Sequence, residues 1–409
     1  MDIITLDNNI KVVLKQNKNT PRHALCFNFK INKPEEKAGL YTVLNRLFLQ
    51  GTQKRSAEAL AQELDENAID CYSEMKHDFI RFKLQCLNED FEKGLDILSD
   101  IINNSTLSDF EKEIIKLKGE IQAELDDPKS LALDGFYKNV YKNHPYGHTY
   151  TKILEDIDSL TMSDVKLVYE DLLQNSYKVI CIVGDFDKNN IENLLKNYFN
   201  KMTNSSAVAP NMPRPVLDKT SVIKIVKNDA SQAQIIQGWQ VPTIYSKDYA
   251  AIMVMNTLLG SSGLSSRLFL ELRDKKGLAY VVRSSYEIYD KAALFNVYIA
   301  TEPKNIKTSL DGFAVELDKI KNIPVSLDEL ENAKNNLIGK RQFFTETNLQ
   351  QAALMTFYED KSLGADYESK LIELIKEVSV EDIQRVANLC IKDPYVLTVL
   401  APEEYLKEV

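Results

Sequence analysis

Apolar and polar positions alternate in short runs at the start of the chain. Ile3–Leu6 and Ile10–Leu14 flank Asn8-Asn9, which is the pattern of an antiparallel hairpin. Ala24–Ile31 is a nearly continuous apolar run and reads as a buried strand, whereas Phe79–Leu87 alternates as a half-buried one. Between and after these runs the period lengthens to that of helices. The first helix contains Thr42 and Arg46, and Ser56–Asn67 follows with Ser56 as its N-cap. Glu89–Ile102, Ser108–Glu124, Leu131–Val140 and Ser163–Leu173 continue the helical pattern. A strand over Lys178–Val183 and a helix over Lys188–Phe199 complete the first half.

The same order of elements then recurs. Leu160–Gly184 matches Val378–Pro402, and within that match Asp164 pairs with Asp382 and Tyr177 with Tyr395 at one common offset. Arg46-Leu47-Phe48-Leu49 returns as Arg267-Leu268-Phe269-Leu270 at almost the same offset. Two matches so nearly in step predict a duplicated α+β unit and exclude a short-period solenoid. Between the halves, 201–218 is rich in Asn, Ser and Pro without an apolar period, which predicts a linker. The expected domains are therefore 1–200 and 219–409. Each should be a mostly antiparallel sheet with helices packed on one face.

Composition narrows the class. A chain of 409 residues can bury more than one core, and 44% apolar with 27% charged residues is ordinary for a globular protein. The net charge of −10, from 60 acidic and 50 basic residues, gives no basic face for nucleic acid. Five cysteines, widely spaced and without a C-x-x-C pair, predict small core residues and neither a disulfide framework nor a thiolate metal site. The first residues read as a strand, not a signal peptide, and no apolar stretch is long enough to span a bilayer, so the expected location is cytoplasmic.

The segment from Gly39 to Thr52 has the frame of a helix carrying a His-x-x-Glu-His zinc motif that ends in a Gly-Thr turn. Such a motif places two imidazoles on one helix face, with a glutamate between them to activate water. Here those positions hold Thr42, Asn45 and Arg46. Neither a hydroxyl nor a guanidinium replaces an imidazole ligand, and an amide cannot take a proton. No metal site is expected in this chain.

The whole pattern resembles the pitrilysin/insulinase family of zinc peptidases, the inverzincins, in the half-length bacterial form related to mitochondrial processing peptidase. The resemblance implies a clamshell of two homologous domains. It also implies a third zinc ligand at Glu120, on a later helix than Arg46, with Glu113 as a supporting acid, and His144-Pro145-Tyr146-Gly147 fits the family pattern. In the second half, Leu259–Phe269 leads into Glu271–Tyr280, where the resemblance makes Arg273 and Tyr280 a clamp on substrate backbone. Asp70, Cys71, Tyr72 and Ser73 match the family's edge strand, to which substrate adds as an extra strand.

The chain thus resembles a family member that keeps its substrate clamp without its metal site. The expected role is a non-catalytic, peptide-binding subunit of a heterodimer whose homologous partner carries the zinc; the alternative is an inactive scaffold of the same fold. Arg46 is expected to face Glu120 and stand in for the metal's charge. His144 and His148 are expected in a surface loop, because Pro145 and Gly147 interrupt any regular helix between them. His23 and His77 carry no functional expectation.

Overall fold

The computed structural model describes residues 1–204, 212–407 and 409. Residues 205–211 of the expected linker lie outside the described residues. Two compact units account for the fold, a two-domain α+β architecture with mixed sheets.

The first unit draws on residues 1–119, 153–212 and 342–368. Its sheet contains β1 (Asp2–Thr5), β2 (Lys11–Gln16), β3 (Arg22–Lys30), β4 (Asp70–Lys76), β5 (Phe79–Leu87) and β6 (Lys178–Gly184). They lie in the order β1-β2-β6-β3-β5-β4, antiparallel throughout except for the parallel pair β2 and β6. The expected hairpin forms β1 and β2, with Asn9 taking the left-handed conformation (φ 66°) that Asn tolerates.

Every residue from His23 to Lys30 is buried, so β3 is covered on both faces, and its sequence reads as a run instead of an alternation. On one face Phe27 meets Phe199, and Phe29 meets Phe82, which in turn packs edge-on against Phe48. These rings join the sheet to the helices Lys188–Phe199 and Leu40–Leu47. On the other face Val13, Cys26, Val179, Cys181 and Val183 pack with Ala352, Met355 and Ala365. Ala352 and Met355 belong to the helix Asn348–Asp360, which comes from far beyond the linker.

The second unit draws on residues 120–152, 213–341 and 369–409. Its strands are β7 (Ser221–Val226), β8 (Ala233–Gln240), β9 (Ala279–Ile288), β10 (Ala293–Thr301) and β11 (Val396–Ala401), in the order β7-β11-β8-β10-β9. The parallel pair is β7 with β11. This is the first sheet without its β1. The helix Pro128–Val140, from the first half of the chain, packs on β7, β8 and β11.

The repeat has a local physical basis. Asp164 closes a capping box with Thr161, and Asp382 closes one with Ser379, so the matched aspartates start equivalent helices. The matched tyrosines precede equivalent strands. The Tyr177 carbonyl accepts from Lys30 N and the Tyr395 carbonyl from Ser221 N, each at 3.0 Å. All five cysteines are buried thiols, as their apolar surroundings predict.

Candidate functional site

In the first unit, Thr42, Asn45 and Arg46 lie on the helix Leu40–Leu47, all half-buried. Arg46 Nε donates to Glu113 Oε2 at 2.9 Å, and Lys116 Nζ approaches the other oxygen at 2.6 Å. Glu113 is buried, and the two cations balance its charge. Glu120 stands farther along the same helix, Phe110–Asp126, and is exposed there. The acid that receives Arg46 Nε is thus Glu113, the expected supporting acid. Asn45 Oδ1 is buried without a hydrogen-bond partner among the described residues. Among the described residues, no group of three His, Cys, Asp or Glu side chains is gathered as metal ligands would be. A guanidinium bound to Glu113 cannot donate a lone pair, so the residues at the motif positions do not fit zinc.

Asp70, Cys71, Tyr72 and Ser73 form the start of β4, the outermost strand of the sheet, which pairs only with β5. Asp70 and Tyr72 are exposed, whereas Cys71 turns inward and burial pushes its thiol up to about 12. Ser73 Oγ donates to the Asn45 carbonyl at 3.4 Å, which ties this edge to the motif helix. Lys83 Nζ lies 5.5 Å from the Tyr72 ring centroid and binds Glu74 at 2.8 Å. The outer edge of β4 offers main-chain donors and acceptors to an added strand.

In the second unit, two π-helical turns, Thr257–Ser261 and Phe269–Lys275, precede the edge strand β9. Arg273 sits in the second turn, with its guanidinium 4.7 Å from the ring centroids of both Phe269 and Tyr280. Its Nη1 donates to the Tyr280 carbonyl. The Tyr280 side chain is 76% exposed, so the phenol is free of the core while the arginine beneath it is oriented. Gly260 makes this junction possible, because a Cβ there would lie 2.1 Å from Ser284 N on β9. Around these residues is an open hollow of about 580 Å³, lined also by Leu264, Arg283 and Glu287.

Glu287 was not legible from spacing. Its carboxylate accepts Tyr137 Oη at 2.7 and 2.9 Å, Asn296 Nδ2 at 3.2 Å and Tyr289 Oη at 3.3 Å. Burial and the neighbouring carboxylate push the Tyr137 phenol upward, which keeps it a neutral donor. The groove therefore has a cationic end at Arg273 and an anionic group at Glu287. It can hold a peptide carbonyl at one point and a positively charged group at the other.

His144 departs from expectation. It is buried, with Nδ1 accepting from Tyr146 N at 3.1 Å. Nε2 therefore carries the proton and donates to the Pro213 carbonyl, also at 3.1 Å. It pins the 3-10 turn Pro145–Gly147 in the second unit, and the short turn gave no sequence signal for that burial.

Comparison with known proteins bears on the family and the fold. Residues 11–152 match the family model described as Insulinase (Peptidase family M16), and residues 159–337 match the one described as Peptidase M16 inactive domain. A protein of Rickettsia felis named as an uncharacterized zinc protease is 24% identical over 380 residues, covering 90% of this chain and 89% of that protein. The uncharacterized zinc protease YmxG of Bacillus subtilis is 23% identical over 408 residues, 97% of each chain. Among solved structures, a protease from Helicobacter pylori aligns with a TM-score of 0.90 at 23% identity, covering 98% of this chain and 99% of the other. A peptidase M16 inactive domain from Pseudomonas fluorescens aligns at 0.86 with 21% identity, covering 98% of each. These structures share the fold.

Proposed function

Because the chain belongs to the insulinase family of peptidases, M16, we propose that it is the substrate-binding, non-catalytic subunit of a heterodimeric metallopeptidase. Zinc would reside in a homologous partner, and this chain would supply Arg273 and Tyr280 to the partner's active site. The observation that carries the reading is the contrast between the two sets of residues. Thr42, Asn45 and Arg46 cannot assemble a zinc site, and Arg46 is committed to Glu113. Arg273, by comparison, is held by the Tyr280 carbonyl and by two aromatic faces, beside an open groove.

In this role the guanidinium and the Tyr280 hydroxyl would meet the oxygen on which charge develops as the peptide carbonyl becomes tetrahedral. A donor already oriented before substrate arrives needs little reorganisation at that moment, which is where such groups gain their effect. Asp70–Ser73 on β4 would receive an extended peptide through main-chain hydrogen bonds, making recognition tolerant of sequence.

The test is reconstitution with a zinc-bearing family member from the same source. The chain alone should neither hold stoichiometric zinc nor hydrolyse peptides; the pair should do both. Arg273→Ala should lower turnover of the pair roughly 10²–10³-fold, the range found when one oxyanion donor is removed. Zinc-dependent hydrolysis by the isolated chain would overturn the proposal. Unchanged turnover with Arg273→Ala, together with peptide affinity of the complex no greater than that of the zinc-bearing partner alone, would assign a scaffold instead.

A further inference from the structure

His23 lies on β3 opposite Cys86 and is 5% exposed. Its imidazole stacks on the Phe91 ring, with centroids 4.4 Å apart and planes 27° from parallel, and on the Phe186 ring at 5.9 Å and 26°. Gly184 leaves room for it, since a Cβ there would lie 2.8 Å from His23 Cδ2. Neither Nδ1 nor Nε2 has a hydrogen-bond partner among the described residues, and Asn88 Oδ1 beside it is likewise buried and unpartnered. Leaving such groups unsatisfied forfeits the hydrogen bonds they would make to water, with nothing gained in return.

A hollow of about 300 Å³ opens against this ring. Phe91 and Phe186 form part of its wall, and Glu89, Glu92, Asp185 and Asp187 contribute carboxylates, with no lysine or arginine in the lining. Among the described residues, none of the four carboxylates is in an ion pair, although Asp187 accepts from Asn190 N at 2.9 Å as a helix cap. Burial lowers His23 to about 4, opposed by the Asp185 charge, so the ring is neutral at physiological pH and offers one acceptor and one donor.

An anionic rim, aromatic walls and an unused imidazole acceptor together complement a cation with N–H donors and an apolar body. A metal ion fits less well, because among the described residues no three His, Cys, Asp or Glu side chains converge on one point. We propose that this hollow binds an organic cation, an ammonium or guanidinium group on an apolar stem, with His23 accepting its N–H and Glu89, Glu92 and Asp185 balancing its charge. The same chemistry could come from a small free amine or from a basic side chain of a peptide.

Calorimetric titration of the full chain with spermidine, with arginine methyl ester, with a short arginine-containing peptide and with zinc chloride separates the cases. Saturable binding of at least one organic probe is expected. It should weaken tenfold or more in Asp185→Asn/Glu92→Gln, which alters exposed groups and leaves the core intact, and also in His23→Phe, which keeps the ring stack and removes both nitrogens. Binding of the free amines supports a small-molecule ligand, and binding of the peptide alone supports a basic segment. No saturable binding of any organic probe would overturn the proposal, as would affinity unchanged in both variants, or zinc binding that alone responds to them.

Discussion

Arg46 has a counterpart in the second half. Arg267, its match in the repeat, holds Glu329 through Nε at 2.6 Å and Nη2 at 2.8 Å. Glu113 and Glu329 both stand in the opening turn of a long helix, Phe110–Asp126 and Leu327–Phe343 respectively. The arginine at the motif position therefore reproduces an ion pair that the duplicated half also has, and it serves packing at a place where the motif would put a metal ligand. Arg46→Met should destabilise the fold by roughly 1–3 kcal/mol, below the full cost of stranding a buried charge because Lys116 remains beside Glu113. Arg46→Met with Glu113→Leu should recover most of that loss in a denaturant titration, and additive losses would contradict the pairing. Lys178 presents the opposite case, a fully buried ammonium whose Nζ donates to the Ser176 carbonyl. Burial lowers it to about 7, against the raising effect of Asp171. Its folded pKa lies below its unfolded one, so the unfolded chain holds the extra proton between about pH 7 and the ordinary lysine range, and stability from this group rises with pH across that window. The displacement bounds the effect at about 5 kcal/mol. Lys178→Met should accordingly be more stable than the parent at neutral pH, with the gap narrowing as the solution approaches the ordinary lysine range; a gap independent of pH would count against the burial argument.

At the scale of elements, what could be read from the sequence was whatever is encoded locally. The Asn8-Asn9 hairpin, the Ser56 cap and the paired aspartates at 164 and 382 each act within a single turn of chain, and each is found where its chemistry requires. Arg273 and Tyr280 were singled out by the family resemblance alone, and one π-helical turn and the start of β9, contiguous in sequence, bring them together. What the sequence leaves silent depends on partners brought from afar. Glu287 acquires its meaning from Tyr137, 150 residues earlier, and His144 from Pro213. His23 sits in an apolar run and carries no signal, since only the convergence of Phe91, Phe186 and Asp185 makes its unpartnered nitrogens notable. The helix Asn348–Asp360 is likewise silent in sequence about where it docks. Its mixed apolar and polar positions match a sheet face that carries both Cys26 and Asn28, with Asp360 Oδ1 accepting from Asn28 Nδ2 at 2.9 Å and the Asp360 carbonyl accepting from Lys30 Nζ at 2.9 Å.

For the whole molecule, chain order and unit membership cross. Pro128–Val140, before the linker, completes the sheet of β7, β8 and β11, and Asn348–Asp360, after it, completes that of β3 and β6. Each sheet has central strands that are buried on both faces, and neither has a second cover from its own half. Residues 1–200 expressed alone would leave Val13, Cys26, Val179, Cys181 and Val183 facing water, each side chain worth roughly 1.5–3 kcal/mol when fully buried. Asn28 and Lys30, held by Asp360 in the intact chain, would lose that partner. Those losses together are comparable to the whole stability of a domain, about 5–15 kcal/mol. The fragment is therefore expected to unfold without cooperativity and to bind a hydrophobic dye, whereas the same fragment extended by residues 342–368 through a flexible linker should unfold in a single sharp transition. Cooperative unfolding of 1–200 without the extension would mean that the exchanged helix is dispensable to the sheet it covers, and that the two halves of the chain are independent in folding despite their interleaved cores.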